Sequence, residues 1–339
     1  MLNDGGVFAN GTLLWGTIKA FLIALVLTPI IRDVFRAYNV VDRPGLRKVH
    51  AYPIPRLGGI PIMVALVVGM AGLRVQGLRW HILPGAAAIF AVGLLDDVFD
   101  LPAAFKLLGQ IAAAGIAFWT GLRMPGPFAI SLLGTLFWLV LASNAFNLVD
   151  GLDGLCAGLG CTAACVFFAM ARLHGIPALA CTSLVLIGAL VGFLCFNIRR
   201  ATVFLGDSGA LLIGFLLGCC GLLWSRETGP QISMFAPVLV IWVPVMDLGL
   251  AVVRRSIARR PIFSADQGHI HHRLLKRGLT PGQAVGILYA FGICAGTLAF
   301  LLGAQQLRPW QAPVIAGFLL LTVVCVRELR YSELGWRQT

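Results

Sequence analysis

"SNAFNLVDGLDGL", residues 143–155, sits between two long apolar runs. Asn144, Asn147, Asp150 and Asp153 recur in it at every third position. Steps of three advance an α-helix by about 300° each, so on one continuous helix the four would spread over about half the circumference. Gly151 and Gly154 interrupt the run. The stretch therefore reads as a helix end carrying Asn144 and Asn147, a turn carrying Asp150, and the start of a second helix at Asp153. An N-cap role would account for Asp153 alone. Four such side chains at the edge of two apolar runs exceed what capping needs.

Working outward, the rest of the chain is oil. Of 339 residues, 59% are hydrophobic and 12% charged, against roughly 25% charged in a soluble domain. Mean hydropathy is +0.90. The expected fold class is an all-α polytopic integral membrane protein, one transmembrane catalytic domain over residues 1–339. Eleven apolar runs are read as spans: 12–31, 57–73, 81–95, 104–121, 128–146, 154–171, 178–196, 209–224, 232–252, 282–303 and 311–326. A run of about 18 or more apolar residues can cross a bilayer as a helix. The third is short and extends towards its acidic end. The first lacks a basic leader and a small-residue cleavage site, so it reads as a retained helix.

Most of the 26 basic residues fall in alternate loops, on one side of the expected bundle. The exceptions are Lys19, Arg74, Arg79, Arg123, Arg172, Arg226 and Arg308. Positive residues accumulate in cytoplasmic loops, which predicts an N-terminus outside and a C-terminus in the cytoplasm. The net charge of +12 is then topology and attraction to anionic lipid, with no nucleic acid implied. The nine cysteines lie in apolar runs without a CxxC pair and read as packing residues.

Ionisable residues in such a chain are functional candidates. "GLLDDVFDL" (93–101) places Asp96, Asp97 and Asp100 at the inner end of the third run. Adjacent carboxylates repel, and call for a cation unless they are simply a solvated helix end. Mg²⁺ suits them, because it prefers oxygen and shares itself with substrate phosphates. Lys106 follows, placed to meet a phosphate or to snorkel. "FLGDSGALLIG" (204–214) puts Asp207 between glycines at a helix start, where backbone N–H groups favour anions and the carboxylate can hold a bridging metal. "HIHHRLLKRG" (269–278) offers His269, His271, His272 and Arg273, suited to diphosphate or sugar contacts, or to a basic interfacial loop. "RKVHAYPIPRLGGIPI" (47–62) adds Arg56. Asp247 lies inside the ninth run and reads as a structural partner for a nearby basic residue. The loops 33–56, 96–106, 147–153, 197–208 and 254–280 share one face. Chemistry at one interface, without mid-membrane charge or an internal repeat, argues for an enzyme over a transporter.

Together, and in this order, "PRLGG", "LLDDVFDL" with Lys106, "NAFNLVDGLDGL", "FLGDSG" and "HIHHRLL" resemble the polyprenyl-phosphate N-acetylhexosamine-1-phosphate transferases, over about residues 43–280. "PIPRLGG" and "HIHH" resemble the branch that starts O-antigen, teichoic acid and related glycans rather than the peptidoglycan branch. The resemblance implies transfer of N-acetylhexosamine 1-phosphate, most simply GlcNAc 1-phosphate, from a UDP-sugar to undecaprenyl phosphate in a bacterial inner membrane, with release of UMP. It implies Mg²⁺, with Mn²⁺ as a substitute, held by Asp207 and Asn147. It implies catalytic roles for Asp96, Asp97 and Lys106, and substrate contacts for Arg56, Asp150, Asp153, His269, His271, His272 and Arg273. The partners it implies are UDP-N-acetylhexosamine, undecaprenyl phosphate and membrane lipids, with a homodimer as one assembly and no nucleic acid. Two other readings stand beside it. An intramembrane Mg²⁺-dependent prenyltransferase would leave "GDSG" and "HIHH" unexplained, and a nucleotide-sugar or lipid transporter would release no UMP.

Overall fold

The structure, a computed structural model, describes residues 10–38, 54–73, 75, 78–228, 235–259, 268–303 and 311–329. Thirteen helices lie among them: α1 (Asn10–Ala37), α2 (Gly59–Met70), α3 (Leu78–Phe99), α4 (Ala103–Trp119), α5 (Phe128–Val149), α6 (Leu155–His174), α7 (Pro177–Asn197), α8 (Gly206–Thr228), α9 (Phe235–Val240), α10 (Trp242–Ile257), α11 (Ile270–Lys276), α12 (Pro281–Gly303) and α13 (Gln311–Glu328). No strand forms among the described residues. Seven helices, α1, α3, α5, α6, α7, α8 and α12, are long and apolar enough to cross a membrane. The chain is an all-α polytopic membrane protein. Helices satisfy their own backbone hydrogen bonds, the requirement a lipid surround imposes.

Every apolar run read from the sequence falls on a helix, and the acidic end of the third does belong to α3. The ninth run is not one helix. It breaks at Ile241 into α9 and α10, and continues to Ile257. Pro244 is the reason: it has no N–H to give the carbonyl four residues back, and its ring crowds that carbonyl.

At the centre stands α8, buried from Ser208 through Ser225. It packs against α3 on one side and α5 on another. Close approach to α5 depends on Gly214, where a Cβ would come within 2.4 Å of the Ala142 carbonyl oxygen. Small residues at helix contacts are how membrane bundles bring backbones together. Trp138 Nε1 then donates to the Gly218 carbonyl at 2.9 Å. Outward faces carry large apolar side chains, Trp15, Ile30, Phe105 and Phe137 among them. Because successive helices alternate in direction, the C-terminal ends of α3, α5 and α7 meet the N-terminal ends of α4, α6 and α8 at one end of the bundle.

Candidate active site

That end gathers most of the polar motifs. The α3–α4 turn passes through Asp100, in left-handed conformation (φ 50°), and Pro102, which precedes the first turn of α4. Asp96 holds this turn: its Oδ1 accepts from the Leu101 amide at 2.8 Å. Its Oδ2 accepts from Lys106 Nζ at 2.9 Å. The same ammonium pairs with Asp207 Oδ2. Asn147, on the last turn of α5, closes the group. With its amide turned so that both atoms find partners, its oxygen accepts from Lys106 Nζ at 3.1 Å and its nitrogen donates to Asp207 Oδ1 at 3.3 Å. Three residues, from α3, α5 and α8, thus converge on the one ammonium that α4 supplies.

Asp97 does something else. Its Oδ1 accepts from the Asp207 amide at 2.7 Å and its Oδ2 from the Ser208 amide at 3.0 Å. It caps α8 from another helix. The first amides of α8 therefore already have their anion, and that anion is Asp97 rather than a phosphate. Gly206 makes this geometry reachable: its φ is +72°, and a Cβ there would come within 2.3 Å of the Arg56 carbonyl oxygen and 2.7 Å of Asp97 Oδ2. One turn before Asp97, Gly93 lets α3 touch the Ser208 backbone, where a Cβ would come within 2.5 Å.

The opening quartet separates by role. Asn144 lies further along α5 and forms an amide pair with Gln110 of α4: Gln110 Nε2 donates to Asn144 Oδ1 at 3.2 Å. It joins helices and takes no part in the cluster. Asp150 follows the last residue of α5. Desolvation, then the charge of Asp97, pushes its carboxyl from 3.8 up to about 7, with Arg56 opposing. Asp153 does not open α6; it stays in the turn, and Gly154 (φ 74°) precedes the helix. Its Oδ2 accepts from the Ala201 amide at 2.9 Å, across to the α7–α8 loop. Asn197 and Tyr289, which the motifs did not single out, complete this bracing. Gly154 N donates to Asn197 Oδ1 at 3.1 Å, and Tyr289 donates to the Gly154 carbonyl at 2.6 Å.

The histidine motif forms α11 and abuts that turn. His271 is 2% exposed, and its Nε2 lies where a Cβ on Gly151 would be, 2.3 Å away. Burial, and the His272 neighbour, push its imidazole down to about 3, so the ring is neutral. The His269 ring stacks parallel to it, centroids 5.8 Å apart. Asp247 of α10, 1% exposed, holds the motif in place: His269 Nδ1 lies 2.8 Å from its Oδ2, and the Ile270 amide donates to its Oδ1 at 2.9 Å. The basic partner expected for Asp247 is His269. An Asp inside an apolar run was the available signal; its second task, capping α11 from α10, was not legible. Arg273 Nε folds back to the Gly268 carbonyl at 3.1 Å. Of the loops expected at the site, residues 39–53 and 260–267 lie outside the described residues.

Two predictions arise here. Asp247→Ala removes two hydrogen bonds to a buried carboxylate, each worth about 1.5–3 kcal/mol. The expected result is a thermal midpoint lowered by several degrees, read by differential scanning fluorimetry in detergent; an unchanged midpoint would refute the capping role. For Asp150, the folded state holds its proton to about 7 whereas the unfolded chain releases it near 3.8. The stability this contributes is full below the lower value and is lost as pH rises through the upper one. The midpoint of Asp150→Asn minus that of the natural protein should therefore grow across this window and level off above it. A difference independent of pH would contradict the shift.

A divalent cation was expected on Asp207 and Asn147. Among the described residues no three His, Cys, Asp or Glu side chains are grouped so that they could hold a metal ion by themselves. What converges around Lys106 is two carboxylates and an amide, all hard oxygen donors. This fits Mg²⁺, which is typically held by one or two carboxylates while substrate phosphates and water complete its shell.

Residues 80–225 match the family model described as glycosyl transferase family 4. The match contains Asp96, Asp97, Lys106, Asn147 and Asp207, and ends before the histidine motif. A protein of Bacillus subtilis (strain 168) named "Probable undecaprenyl-phosphate N-acetylglucosaminyl 1-phosphate transferase" is 32% identical, over 92% of this chain and 90% of its own. A "Decaprenyl-phosphate N-acetylglucosaminephosphotransferase" of Mycolicibacterium smegmatis is 34% identical, over 91% and 86%. An "Undecaprenyl-phosphate alpha-N-acetylglucosaminyl 1-phosphate transferase" of Escherichia coli O157:H7 is 30% identical, over 92% and 90%. With identity at this level sustained along nearly whole chains, and the cluster inside the matched region, the chain belongs to glycosyl transferase family 4.

Proposed function

We propose that the protein transfers N-acetylglucosamine 1-phosphate from UDP-N-acetylglucosamine to a polyprenyl phosphate, releasing UMP. The observation that carries this reading is the convergence of Lys106, Asp96, Asp207 and Asn147 at one end of a membrane bundle. A lipid phosphate and a soluble nucleotide sugar can meet there. The names of the relatives supply the substrate class. The eleven apolar runs, taken as eleven crossings, and the bias of Lys and Arg towards one set of loops support this end facing the cytoplasm.

In the proposed reaction an oxygen of the lipid phosphate forms a bond to the β-phosphorus. The bond from that phosphorus to the bridging oxygen breaks, and its electron pair leaves with UMP. A phosphate monoester has a second pKa of about 6, so the nucleophile is already largely ionised at pH 7 and needs no strong base. Positioning and charge neutralisation therefore carry the rate. Both substrates are anions arriving among Asp96, Asp97 and Asp207. Lys106 is the protein's own cation within the cluster and would contact phosphate oxygens. Asp207 and Asn147 would hold Mg²⁺, which supplies positive charge to the diphosphate and the leaving group. Direct displacement is favoured over an aspartyl-phosphate, because both oxygens of Asp96 and both of Asp97 are already engaged.

The test uses purified protein with undecaprenyl phosphate, Mg²⁺ and UDP-N-acetylglucosamine or UDP-N-acetylgalactosamine. UMP and sugar-diphospholipid are followed by mass spectrometry. Joint, EDTA-sensitive appearance of both is expected. Transport of the nucleotide sugar without UMP, or no UMP from folded protein with either sugar, would overturn the proposal.

A further inference from the structure

At the opposite end of the bundle two arginines from separate elements line one cavity of about 500 Å³. Arg123 lies in the α4–α5 loop, and Arg226 on the last turn of α8. Met124, Gly126, Phe128 and Ser131 complete its wall. The loop is braced: the Met124 amide donates to Thr135 Oγ1 at 2.9 Å, and Ser131 donates to the Met124 carbonyl. Glu227 forms a long ion pair with Arg226, 3.9 Å from its Nε, too long for a hydrogen bond, and is the anion a bound phosphate would displace.

The level of this cavity in the membrane follows from two independent features. Asp207 and Arg226 are nineteen positions apart on α8, which is about 28 Å at 1.5 Å per residue, close to the thickness of a bilayer's hydrocarbon core. Beside the cavity, Phe118, Trp119 and Phe128 form an aromatic cluster with centroids 5.6–6.4 Å apart. Trp119 is 76% and Phe128 60% exposed. Arg123 lies 5.9 Å over the Phe118 ring. Exposed aromatic rings of this kind collect at the membrane–water boundary, where lipid phosphates also lie.

We infer that this cavity binds the headgroup phosphate of an anionic glycerophospholipid in the leaflet opposite the active site. Two guanidiniums offer forked donors suited to phosphate oxygens, and the outward-facing rings of Trp119 and Phe128 give the acyl chains a surface to lie on. A free phosphate has the same oxygens but no use for those rings. The site would also be coupled to chemistry. The elements meeting at the cavity, α4, α5 and α8, are those whose other ends carry Lys106, Asn147 and Asp207. An anion that draws Arg123 and Arg226 together clamps the three helices at one end and steadies the cluster at the other.

The experiment compares the full chain with the double variant Arg123→Gln/Arg226→Gln, neither residue belonging to the active-site cluster. Both proteins are reconstituted in nanodiscs of phosphatidylcholine with or without phosphatidylglycerol, transferred to detergent and examined by native mass spectrometry. Retention of phosphatidylglycerol should be about tenfold or more weaker in the variant, while the thermal midpoints of the two proteins in lipid-free detergent stay equal. Equal retention by both proteins overturns the inference. Displacement of the lipid by millimolar inorganic phosphate also overturns it, by making the cavity a general anion site. A second arm, resting on the proposed reaction, follows UMP release: phosphatidylglycerol should raise turnover of the natural protein and not of the variant. Absence of UMP from the natural protein would count against the reaction and leave the binding result standing.

Discussion

Asp207→Asn lowers the rate of UMP release by about 10²–10³-fold, the range found when one preorganised electrostatic group is removed from an active site. The protein should stay folded, because the α8 cap uses the Asp207 amide and not its side chain. Asn is nearly isosteric and keeps a hydrogen-bonding oxygen, so the loss isolates charge. The change removes the anion that Lys106 and Asn147 face. Lys106 is then paired only with Asp96, and the cluster loses its best donor for a divalent cation. The measurement is turnover at saturating substrates over a Mg²⁺ titration, with the thermal midpoint as control. A variant within threefold of natural activity at every Mg²⁺ concentration would remove Asp207 from the chemistry.

The second large effect concerns Asp97, and it falls on structure as much as rate. Asp97→Ala strips the cap from the two amides that begin α8. Charged hydrogen bonds contribute about 1.5–3 kcal/mol each, so the pair amounts to about 3–6 kcal/mol, with no water assured to replace the carboxylate. Because α8 is the central helix, its first turn should loosen and Asp207 should lose its position. Activity should fall at least as far as in Asp207→Asn, and the thermal midpoint should fall with it. Asp97→Asn separates the roles. One amide oxygen can accept from one of the two N–H groups, while the amide nitrogen would face the other donor. Its midpoint should lie between those of the natural protein and Asp97→Ala. If Asp97 were instead a covalent nucleophile, Asp97→Asn would be inactive at full stability, and incubation with UDP-sugar alone would leave a phosphorylated protein detectable by intact mass. That result would refute the capping assignment and restore the two-step path.

At the acidic motifs, local pattern stops being informative. "LLDDVFD" presents Asp96 and Asp97 as twins, yet one engages Lys106 and the α3–α4 turn and the other caps a helix 110 residues away. Consecutive residues on a helix point about 100° apart, so neighbours in sequence serve different neighbours in space. The quartet of residues 144–153 divides in the same way. Asn147 joins the cluster, Asn144 pairs with Gln110, Asp153 braces the α7–α8 loop, and Asp150 lies near Asp97 and Arg56.

What the sequence determined by itself is the set of helices and the end at which chemistry gathers. Long apolar runs must become helices in lipid, because only then are all their backbone groups satisfied. Polar motifs separated by odd or even numbers of such runs must fall on opposite or equal sides. Both inferences need only local composition. Tertiary structure alone decided the partners. Asp97 with α8, Asn144 with Gln110, Asp153 with Ala201 and His269 with Asp247 are contacts across 110, 34, 48 and 22 positions. Periodicity carries no information about which helix packs against which. That choice is made by surfaces such as Gly93 against Ser208 and Gly214 against Ala142, where the absence of a side chain lets two backbones meet. Once they meet, Asp96, Asp97, Asp153 and Asp207 take the donors that neighbouring elements bring within reach.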